Sequence, residues 1–270
     1  MNKGRGAARI EGAFAGGKAL ITFLTGGDPG VATTEKLIRA MDEEGADLIE
    51  IGIPFSDPIA EGPIIQDADE RALAAGTTVD DLFAMVARLR AGAGGAAGLT
   101  KPLLFMTYYN PIFTYGVERF AAKCVESGLD GLIVPDVPYE ESGEIKAVFE
   151  PHGIAIISMI APTSADRETM IAKDAQGFLY CVSSLGVTGV RSEIRSGIGG
   201  IIEAVRQVSG VPCAIGFGIS TPAQAEEMAV LADGVIVGSA IVRIIAEHGA
   251  ESEAPVRAYV RAMKDALRAK

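Results

Sequence analysis

The fold is encoded most plainly in residues 45–53, which read GADLIEIGI. A glycine that follows a helical segment lets the chain enter the left-handed conformation that closes the last turn of a helix. The apolar, β-branched run at residues 47–53 is typical of a parallel strand that is buried on both faces, as in a sheet covered by helices. Similar junctions of glycine or alanine, aspartate and an apolar run occur at residues 128–134 and 232–237. The repetition predicts one βα unit that is used many times.

Apolar runs of this kind divide the whole chain. They lie at residues 19–24, 47–53, 103–106, 132–134, 154–160, 178–182, 211–217 and 234–237. Segments with helical periodicity separate them, for example at residues 34–44, 79–90 and 117–126. Eight such units in about 250 residues match the size of a (β/α)8 barrel. We therefore predict an α/β fold: a single (β/α)8 TIM barrel domain over residues 1–270, with an N-terminal helical extension, extra short helices and an active site at the C-terminal ends of the strands. A doubly wound open sheet is the alternative.

The charge balance restricts the partners. The chain has 24 Lys and Arg against 35 Asp and Glu, a formal net charge of −11 at pH 7. Nucleic acids and anionic membrane surfaces both require clustered cations, so the sequence argues against both. The three cysteines, Cys124, Cys181 and Cys213, lie far apart in apolar runs, which is typical of reduced core thiols. Residues 1–14 contain no apolar stretch of signal-peptide length, and the sequence thus predicts a cytoplasmic protein.

Glu50 is a charged residue within the second predicted strand. The alternation of the strand places Ile49, Ile51 and Ile53 on one face and Glu50 on the other. Because the outer face of a barrel packs on helices, we expect Glu50 to point into the barrel near its C-terminal mouth. Desolvation raises the pKa of such a carboxyl, which suits a general acid/base. A structural carboxylate paired with a buried Lys or Arg is the alternative, although the strand sequences contain no obvious partner.

The segment that follows this strand, PFSDPIAEGP at residues 54–63, is dense in prolines and acids. Loops at this end of the strands carry the active sites of barrels. Glu61 is therefore a second carboxylate that can approach the cavity of Glu50, from a loop that proline stiffens. Ordinary solvated loop charge is the alternative for Asp57 and Glu61.

The last two predicted strands end in glycines. Residues 216–220 read GFGIS, and Gly238-Ser239-Ala240 opens a helix. Glycine lets backbone N–H groups approach a ligand, and a helix N-terminus favours an anion. Because the loops after strands seven and eight commonly bind phosphate in this fold, the two junctions predict a phosphate site. The glycine- and hydroxyl-rich segment 183–192 has the composition of a lid, with a simple mobile loop as the alternative.

Other chemistries lack the residues that they need. The two histidines, His152 and His248, stand in helix-end contexts, and no Cys/His cluster has the spacing of a zinc site. No lysine lies at the end of an apolar strand, which disfavours a Schiff base, and no G-x-G-x-x-G follows the first strand. What remains is acid–base chemistry by carboxylates on a phosphorylated small molecule, with no metal.

Residues 48–63, LIEIGIPFSDPIAEGP, closely resemble the signature segment of the tryptophan synthase α subunit family. Further segments resemble the family in order: TGGDP at 25–29, YYNP at 108–111, PDVP at 135–138, GVTG at 186–189, GFGI at 216–219 and GS at 238–239. The resemblance covers residues 14–270. It implies a lyase of tryptophan biosynthesis that cleaves indole-3-glycerol phosphate to indole and glyceraldehyde 3-phosphate by a retro-aldol reaction, with no cofactor in this chain.

The resemblance also implies roles for individual residues. Glu50 matches the family's general acid/base, which protonates indole C3 and helps to deprotonate the glycerol hydroxyl. Glu61 stands where the family most often has Asp, the loop acid that stabilises positive charge at the indole N–H, and it reaches one methylene further. Tyr180 matches the tyrosine near the catalytic Glu, while Phe23 and Tyr108 match the indole pocket; barrel packing is the alternative for these three rings. The remaining matches are the lid residue Thr188 and the phosphate-binding positions Gly189, Phe217, Gly218, Gly238 and Ser239.

A partner is implied as well, namely the β subunit, which uses pyridoxal phosphate to join indole to serine in an αββα heterotetramer. Pro54, Asp57, Asn110 and Pro138 lie on segments that face this partner in the family. Two other interpretations stay open. One is another phosphate-binding barrel of the same pathway, which would need a catalytic Lys at a strand end or a Cys/Asp pair. The other is a mainly regulatory subunit whose activity appears only when it is docked.

Overall fold

Parallel strands form the centre of the computed structural model, which describes residues 4–92, 97–161, 165–182, 191–216 and 218–268. The strands are β1 (Ala19–Thr25), β2 (Leu48–Gly52), β3 (Leu103–Met106), β4 (Gly131–Ile133), β5 (Ala155–Ile156), β6 (Ser158–Ile160), β7 (Leu179–Val182), β8 (Cys213–Gly216) and β9 (Gly234–Val237). They pair in the order β5-β4-β3-β2-β1-β9-β8-β7-β6. Because Ile157 alone separates β5 from β6, these two are halves of one strand, and the sheet is a nearly closed barrel. The predicted (β/α)8 barrel is confirmed, and the doubly wound sheet is excluded.

Helices surround the barrel and connect its strands. They are α1 (Arg5–Gly12), α2 (Val31–Glu43), α3 (Pro63–Ala74), α4 (Val79–Ala91), α5 (Tyr109–Tyr115), α6 (Val117–Ser127), α7 (Ser142–Phe149), α8 (Ala165–Lys173), α9 (Arg191–Arg206), α10 (Pro222–Ala229), α11 (Ser239–His248) and α12 (Glu253–Arg268). Two short 3₁₀ helices cover Glu150–His152 and Gly249–Glu251. None of the described helices is both long and apolar enough to cross a membrane.

The eight predicted strands are all present, with small differences at their ends. The predicted run 154–160 is divided at Ile157, and the predicted run 132–134 forms its strand one residue earlier, at Gly131–Ile133. Of the predicted surface loop at residues 91–98, residues 93–96 lie outside the described part of the chain.

Two apolar clusters fill the two layers of the barrel. The outer cluster lies between strands and helices, and it includes Ile49, Ile51 and Ile53 of the second predicted strand. The inner cluster includes Leu48 of the same strand, with side chains from the other strands. The predicted alternation is therefore confirmed: the isoleucines face the helices, and the opposite face of β2 lines the barrel interior.

Helix α1 closes the N-terminal end of the barrel. Its buried residues Ala7 and Ile10 belong to the inner cluster. Arg9 binds the carboxylate of Asp130 at 3.0 Å, and the Gly6 amide donates to the Gly153 carbonyl at 2.9 Å. A Cβ on Gly6 would lie 1.9 Å from the Asp130 carbonyl oxygen, so only glycine allows this approach. Since this end is closed, a ligand must enter at the opposite end.

Candidate active site at the C-terminal mouth of the barrel

Glu50 is completely buried in the barrel wall. It lies on β2 between Phe23 of β1 and Leu104 of β3, which are its neighbours in register. Neither carboxylate oxygen of Glu50 receives a hydrogen bond from the described residues. Burial raises the pKa of this carboxyl to about 8. Glu50 thus carries its proton at neutral pH, and its pKa is close enough to neutral for the group to act as both acid and base. The structural alternative, a carboxylate paired with a buried Lys or Arg, finds no partner in the described part of the chain.

Tyr180 is the polar ring that lies close to Glu50. It is on β7, in the inner cluster, and burial followed by the nearby charge of Glu50 raises the pKa of its phenol. Gly216 at the end of β8 makes room for this ring, because a Cβ there would lie 2.6 Å from the Tyr180 hydroxyl. The glycine that ends β8 therefore leaves space in the cavity for Tyr180, a role separate from the phosphate site that the sequence predicts there.

Phe23 forms an apolar wall of the same cavity. Its side chain is 3% exposed. A Cβ on Gly52, at the end of β2, would lie 2.8 Å from the Phe23 ring, and one on Gly238 would lie 3.2 Å from it. Glycines at two strand ends thus leave space for one flat aromatic side chain beside Glu50, which suits an aromatic ligand.

Tyr108 attaches the loop after β2 to the barrel. Its hydroxyl accepts a hydrogen bond from the Ala60 amide at 3.0 Å, and its ring lies 5.3 Å from the ring of Phe55. The Gln66 amide group donates to the Glu61 carbonyl at 2.8 Å, which joins the loop to α3. The loop therefore has a defined position with Glu61 at its end.

Glu61 is held next to a third carboxyl, that of Asp69. Asp69 lies on α3, is 3% exposed, and forms a side-chain hydrogen bond with Glu61. Burial raises the pKa of both groups, that of Asp69 to about 9 with the charge of Glu61 as the second cause. Our sequence analysis did not identify Asp69. The available signal was helical spacing, because Asp69 shares the buried side of α3 with Ala68 and Ala72.

The N-terminus of α11 is open to a ligand. Gly238 is its N-cap and makes no side-chain hydrogen bond there. The preceding helix α10 differs, because Thr221 and Gln224 form a capping box at its N-terminus. Gly218 has a φ of +77°, a conformation that favours glycine. Ser239 is exposed at the start of α11.

Some predicted residues lie outside the described part of the chain. These are Thr188, Gly189 and Phe217, together with residues 183–190 of the predicted lid.

Exposed residues surround the mouth of the barrel. Asp57, Asn110 and Pro138, which we predicted at a partner interface, are exposed, whereas Pro54 is buried within this chain. Two large apolar side chains that the sequence did not point to are also exposed on these segments. Ile59, in the loop before α3, is 80% exposed, and Phe113, on helix α5, is 66% exposed. An apolar surface of this kind is typical of a protein–protein interface.

The three cysteines have the state that the sequence predicts. Cys124, Cys181 and Cys213 are buried free thiols. The histidines, His152 and His248, are both exposed. Among the described residues no group of three or more His, Cys, Asp or Glu side chains is arranged to hold a metal ion.

Comparison with known proteins identifies the family. The family model described as tryptophan synthase alpha chain matches residues 13–268. The chain is 45% identical over 267 residues to the tryptophan synthase alpha chain of Geobacter sulfurreducens, an alignment that covers 96% of this chain and 99% of that one. The corresponding protein of Thermoanaerobacter sp. (strain X514) is 43% identical over 254 residues, which are 93% of this chain and 95% of that protein.

Solved structures agree with these relatives. The tryptophan synthase subunit alpha of Legionella pneumophila str. Paris superimposes with a TM-score of 0.87 at 36% identity over 99% of both chains. A chain of tryptophan synthase from M. tuberculosis in its aminoacrylate-bound form gives a TM-score of 0.83 at 33% identity, over 96% of this chain and 99% of that one. The protein therefore belongs to the tryptophan synthase alpha chain family.

Proposed function

We propose that the cavity at the C-terminal mouth of the barrel cleaves indole-3-glycerol phosphate, with Glu50 as the general acid/base. The observation that carries this proposal is the burial of Glu50 without a hydrogen-bond partner in the described residues. A structural carboxylate would be expected to have a partner, because an isolated buried charge destabilises the fold. A carboxyl that exchanges a proton with a ligand instead needs its oxygens free.

The family gives the reaction its context. Members of the tryptophan synthase alpha chain family are lyases that serve tryptophan biosynthesis, and cleavage of indole-3-glycerol phosphate to indole and glyceraldehyde 3-phosphate is their known reaction. This protein is an alpha chain of that kind.

The two proton transfers balance on Glu50. The protonated carboxyl gives its proton to indole C3, and the bond between C3 and the glycerol carbon breaks. The resulting carboxylate helps to remove the proton from the hydroxyl on that carbon, which becomes the aldehyde of glyceraldehyde 3-phosphate. Glu50 returns to its protonated state, and a pKa of about 8 keeps it protonated before each turnover. Tyr180, whose pKa is raised by burial and then by the charge of Glu50, acts beside it in the same cavity.

Glu61 acts at the other end of the indole ring. Protonation at C3 places positive charge on the ring and makes the indole N–H acidic. A carboxylate beside that N–H stabilises the charge. Phe23 and Tyr108 form the flat walls of the indole pocket, since Phe23 neighbours Glu50 in register and Tyr108 holds the loop of Glu61.

The phosphate group of the substrate binds at the open N-terminus of α11. Backbone N–H groups at Gly238 and Ser239, together with the conformation of Gly218, suit an anion there. Gly189, Phe217 and Thr188 belong to the same proposal on the basis of the family pattern alone.

Family membership implies a β-subunit partner. We propose an αββα heterotetramer in which the partner carries pyridoxal phosphate and this chain needs no cofactor of its own. The segments of Pro54, Asp57, Asn110 and Pro138 form the contact surface, and the exposed side chains of Ile59 and Phe113 support an apolar interface there. The proposal also includes residues 1–270 as one domain in the cytoplasm.

The test is the release of indole from indole-3-glycerol phosphate, with and without the β subunit. We expect slow release by the chain alone, a large rise with the partner, and a loss of at least about 10²-fold in Glu50→Gln. Glu118→Gln is the control, because Glu118 is an exposed glutamate on α6. Unchanged indole release in Glu50→Gln would overturn the proposed role of Glu50. Equal turnover with and without the β subunit would contradict the expected activation by the partner.

A further inference from the structure

Two buried carboxyl groups are in direct contact at the mouth of the barrel. The side chains of Glu61 and Asp69 form a hydrogen bond with one another. Asp69 is 3% exposed, and the Oε2 atom of Glu61 is buried and receives no hydrogen bond from an amide, hydroxyl or basic group of the described residues. No described donor other than Asp69 is therefore available to this oxygen of Glu61.

The contact requires a proton. Two ionised carboxylates have only acceptor atoms, so neither can donate to the other, and their like charges repel. A hydrogen bond between them requires at least one proton on the pair. The Phe55 amide favours ionisation of Asp69, but burial and the charge of Glu61 outweigh it and raise the pKa of Asp69 to about 9. Burial raises the pKa of Glu61 as well, so at neutral pH the pair holds a proton that its two carboxyls share.

The surroundings supply no positive charge to this pair in the described structure. Tyr108 faces both carboxyls, and its phenol stays protonated because burial and the neighbouring carboxyl charges raise its pKa. Helix α3 packs against β1 and α11. The charged side chains of α11 are Arg243, Glu247 and His248, and all three are exposed to solvent.

The cation nearest in sequence already has its own partner. Arg71, two residues after Asp69, binds the Asp28 carboxylate with two hydrogen bonds of 2.9 and 2.8 Å. This ion pair ties α3 to the loop after β1. Asp69 thus stands on an anchored helix, whereas Glu61 belongs to the loop before it.

We propose that Asp69 is a positioning residue for Glu61: through one shared proton it holds the loop carboxylate in the orientation that receives the indole N–H. The inference rests on the proposed function of Glu61 and deepens it. A longer acid at position 61 has an additional rotatable bond compared with Asp, and a fixed donor on α3 removes that freedom. When the pair loses its shared proton, the two charges separate and Glu61 leaves its position.

Two substitutions of Asp69 separate positioning from simple packing. Asp69→Asn keeps the shape and can donate an N–H to the Glu61 carboxylate, but it has no proton to lose. Asp69→Ala removes the donor. The control is Asp67→Asn, the same chemical change at an exposed position of the same helix. Thermal unfolding of each variant establishes that it is folded before its kinetics are measured.

The readout is kcat and KM for indole-3-glycerol phosphate between pH 6 and 10, with the β subunit present. We expect kcat of Asp69→Ala to fall about tenfold with KM within about twofold, whereas Asp69→Asn stays near the wild-type value at pH 7. At alkaline pH the wild type should lose activity with two deprotonations, those of Glu50 and of the pair. Asp69→Asn should lose it with one, so the limiting slope of log kcat against pH changes from −2 to −1.

The outcomes distinguish this inference from the proposed function. If the wild type cleaves the substrate, Glu50→Gln does not, and both Asp69 variants match the wild type at every pH, then the positioning role is overturned and the proposed function stands. If the wild type releases no indole, both are overturned. If Asp69→Ala does not fold, a measurement without substrate on the wild type and Asp69→Asn still tests the inference. The infrared difference between wild type and Asp69→Asn should show one protonated carboxyl at pH 7 that ionises by pH 10, and its absence would overturn the inference.

Discussion

The two ends of the barrel differ in the hydrogen-bond partners that they give to buried carboxyl groups. At the N-terminal end, Asp130 is completely buried and accepts hydrogen bonds from Arg90 at 2.5 Å, Arg9 at 3.0 Å and the Leu103 amide at 3.1 Å. At the C-terminal end, Glu50 is equally buried and accepts none from the described residues. Burial raises the pKa of both groups, but at Asp130 the cations and the amide oppose it.

The N-terminal arrangement is repeated around the barrel. Asp47, Asp130 and Asp233 each precede a strand and accept the amide N–H at the start of the neighbouring strand, from Leu20 at 2.8 Å, Leu103 at 3.1 Å and Cys213 at 2.9 Å. A cation binds each carboxylate: Lys264 at 2.5 Å, Arg90 at 2.5 Å and Arg206 at 2.9 Å. These are the aspartates of the repeated helix–strand junctions in the sequence. Each of these carboxylates therefore holds neighbouring strands together and is occupied by structural partners.

The difference separates stability from chemistry. A buried carboxylate with several donors fixes the positions of strands, because removing it would leave the donors unsatisfied. A buried carboxyl without donors destabilises the fold when it ionises, and in return its proton is available to a ligand. The fold is thus stabilised at one end of the barrel, whereas the proposed chemistry lies at the other, and substitutions at four positions test that division.

The largest effect is expected where the paired end is broken. Asp130→Ala removes the carboxylate that pairs with Arg90 and accepts the Leu103 amide, and it should lower the free energy of unfolding by about 3 kcal/mol, as for other broken buried ion pairs. Because Asp130 is remote from the mouth, kcat of the folded variant should stay within about twofold of the wild type. Urea unfolding and the indole assay measure the two quantities. A large loss of kcat with unchanged stability would reverse the roles of the two ends.

Glu61 tests the reactive end. Glu61→Ala should lose at least about 10²-fold in turnover, as is typical of one positioned acid–base group, while Glu61→Asp retains activity because Asp supplies the same carboxylate. The measurement is steady-state indole release with the β subunit. Unchanged turnover in the Ala variant would remove Glu61 from the mechanism.

Gly216 sharpens the comparison through shape rather than charge. In Gly216→Ala the new Cβ would lie 2.6 Å from the Tyr180 hydroxyl, so the ring must move. Overpacking of this kind destabilises by about 2 kcal/mol, and the displaced ring should lower kcat as well. The matched control is Gly200→Ala on α9, where a Cβ meets nothing within 4 Å. That control should gain about 0.5–1 kcal/mol, because alanine favours a helix. Equal stability of the two variants would show that Tyr180 is not confined by Gly216.

The smallest expected effect concerns the stability that depends on Glu50. Its pKa rises from 4.5 in an unfolded reference to about 8 in the folded protein. The folded state therefore holds an extra proton between these values, and the stabilisation from that proton is complete below pH 4.5 and lost as pH rises towards 8. Glu50→Gln lacks this dependence, so from pH 5 to pH 6 it should gain about 1 kcal/mol of unfolding free energy relative to the wild type. If the unfolding free energies of the wild type and of Glu50→Gln change by the same amount between the two pH values, the burial argument is contradicted.

The sequence was sufficient for much of this arrangement. Periodicity and the repeated junctions predicted the eight strands, because parallel strands covered by helices must be apolar. The alternation of β2 predicted that Glu50 is opposite to three isoleucines, and the helices confirm this by covering Ile49, Ile51 and Ile53.

What the sequence could not predict depends on distant contacts. The aspartates of the junctions were visible, but Lys264 is 217 residues from Asp47, and no local pattern pairs them. Asp69 stands among charged residues of α3 and resembles a solvated surface acid until β1 and α11 pack against that helix. Its burial, and its contact with Glu61, are products of the tertiary fold.

The most direct test of the central claim is the pKa of Glu50 itself. Carboxyl ¹³C NMR of the isolated chain, with the signal assigned by its loss in Glu50→Gln, gives that value without any assumption about the reaction. We expect a titration midpoint near the value of about 8 that burial produces. A midpoint for Glu50 near 4.5, the value of an exposed glutamate, would contradict the account of an unpaired buried acid at the mouth of the barrel.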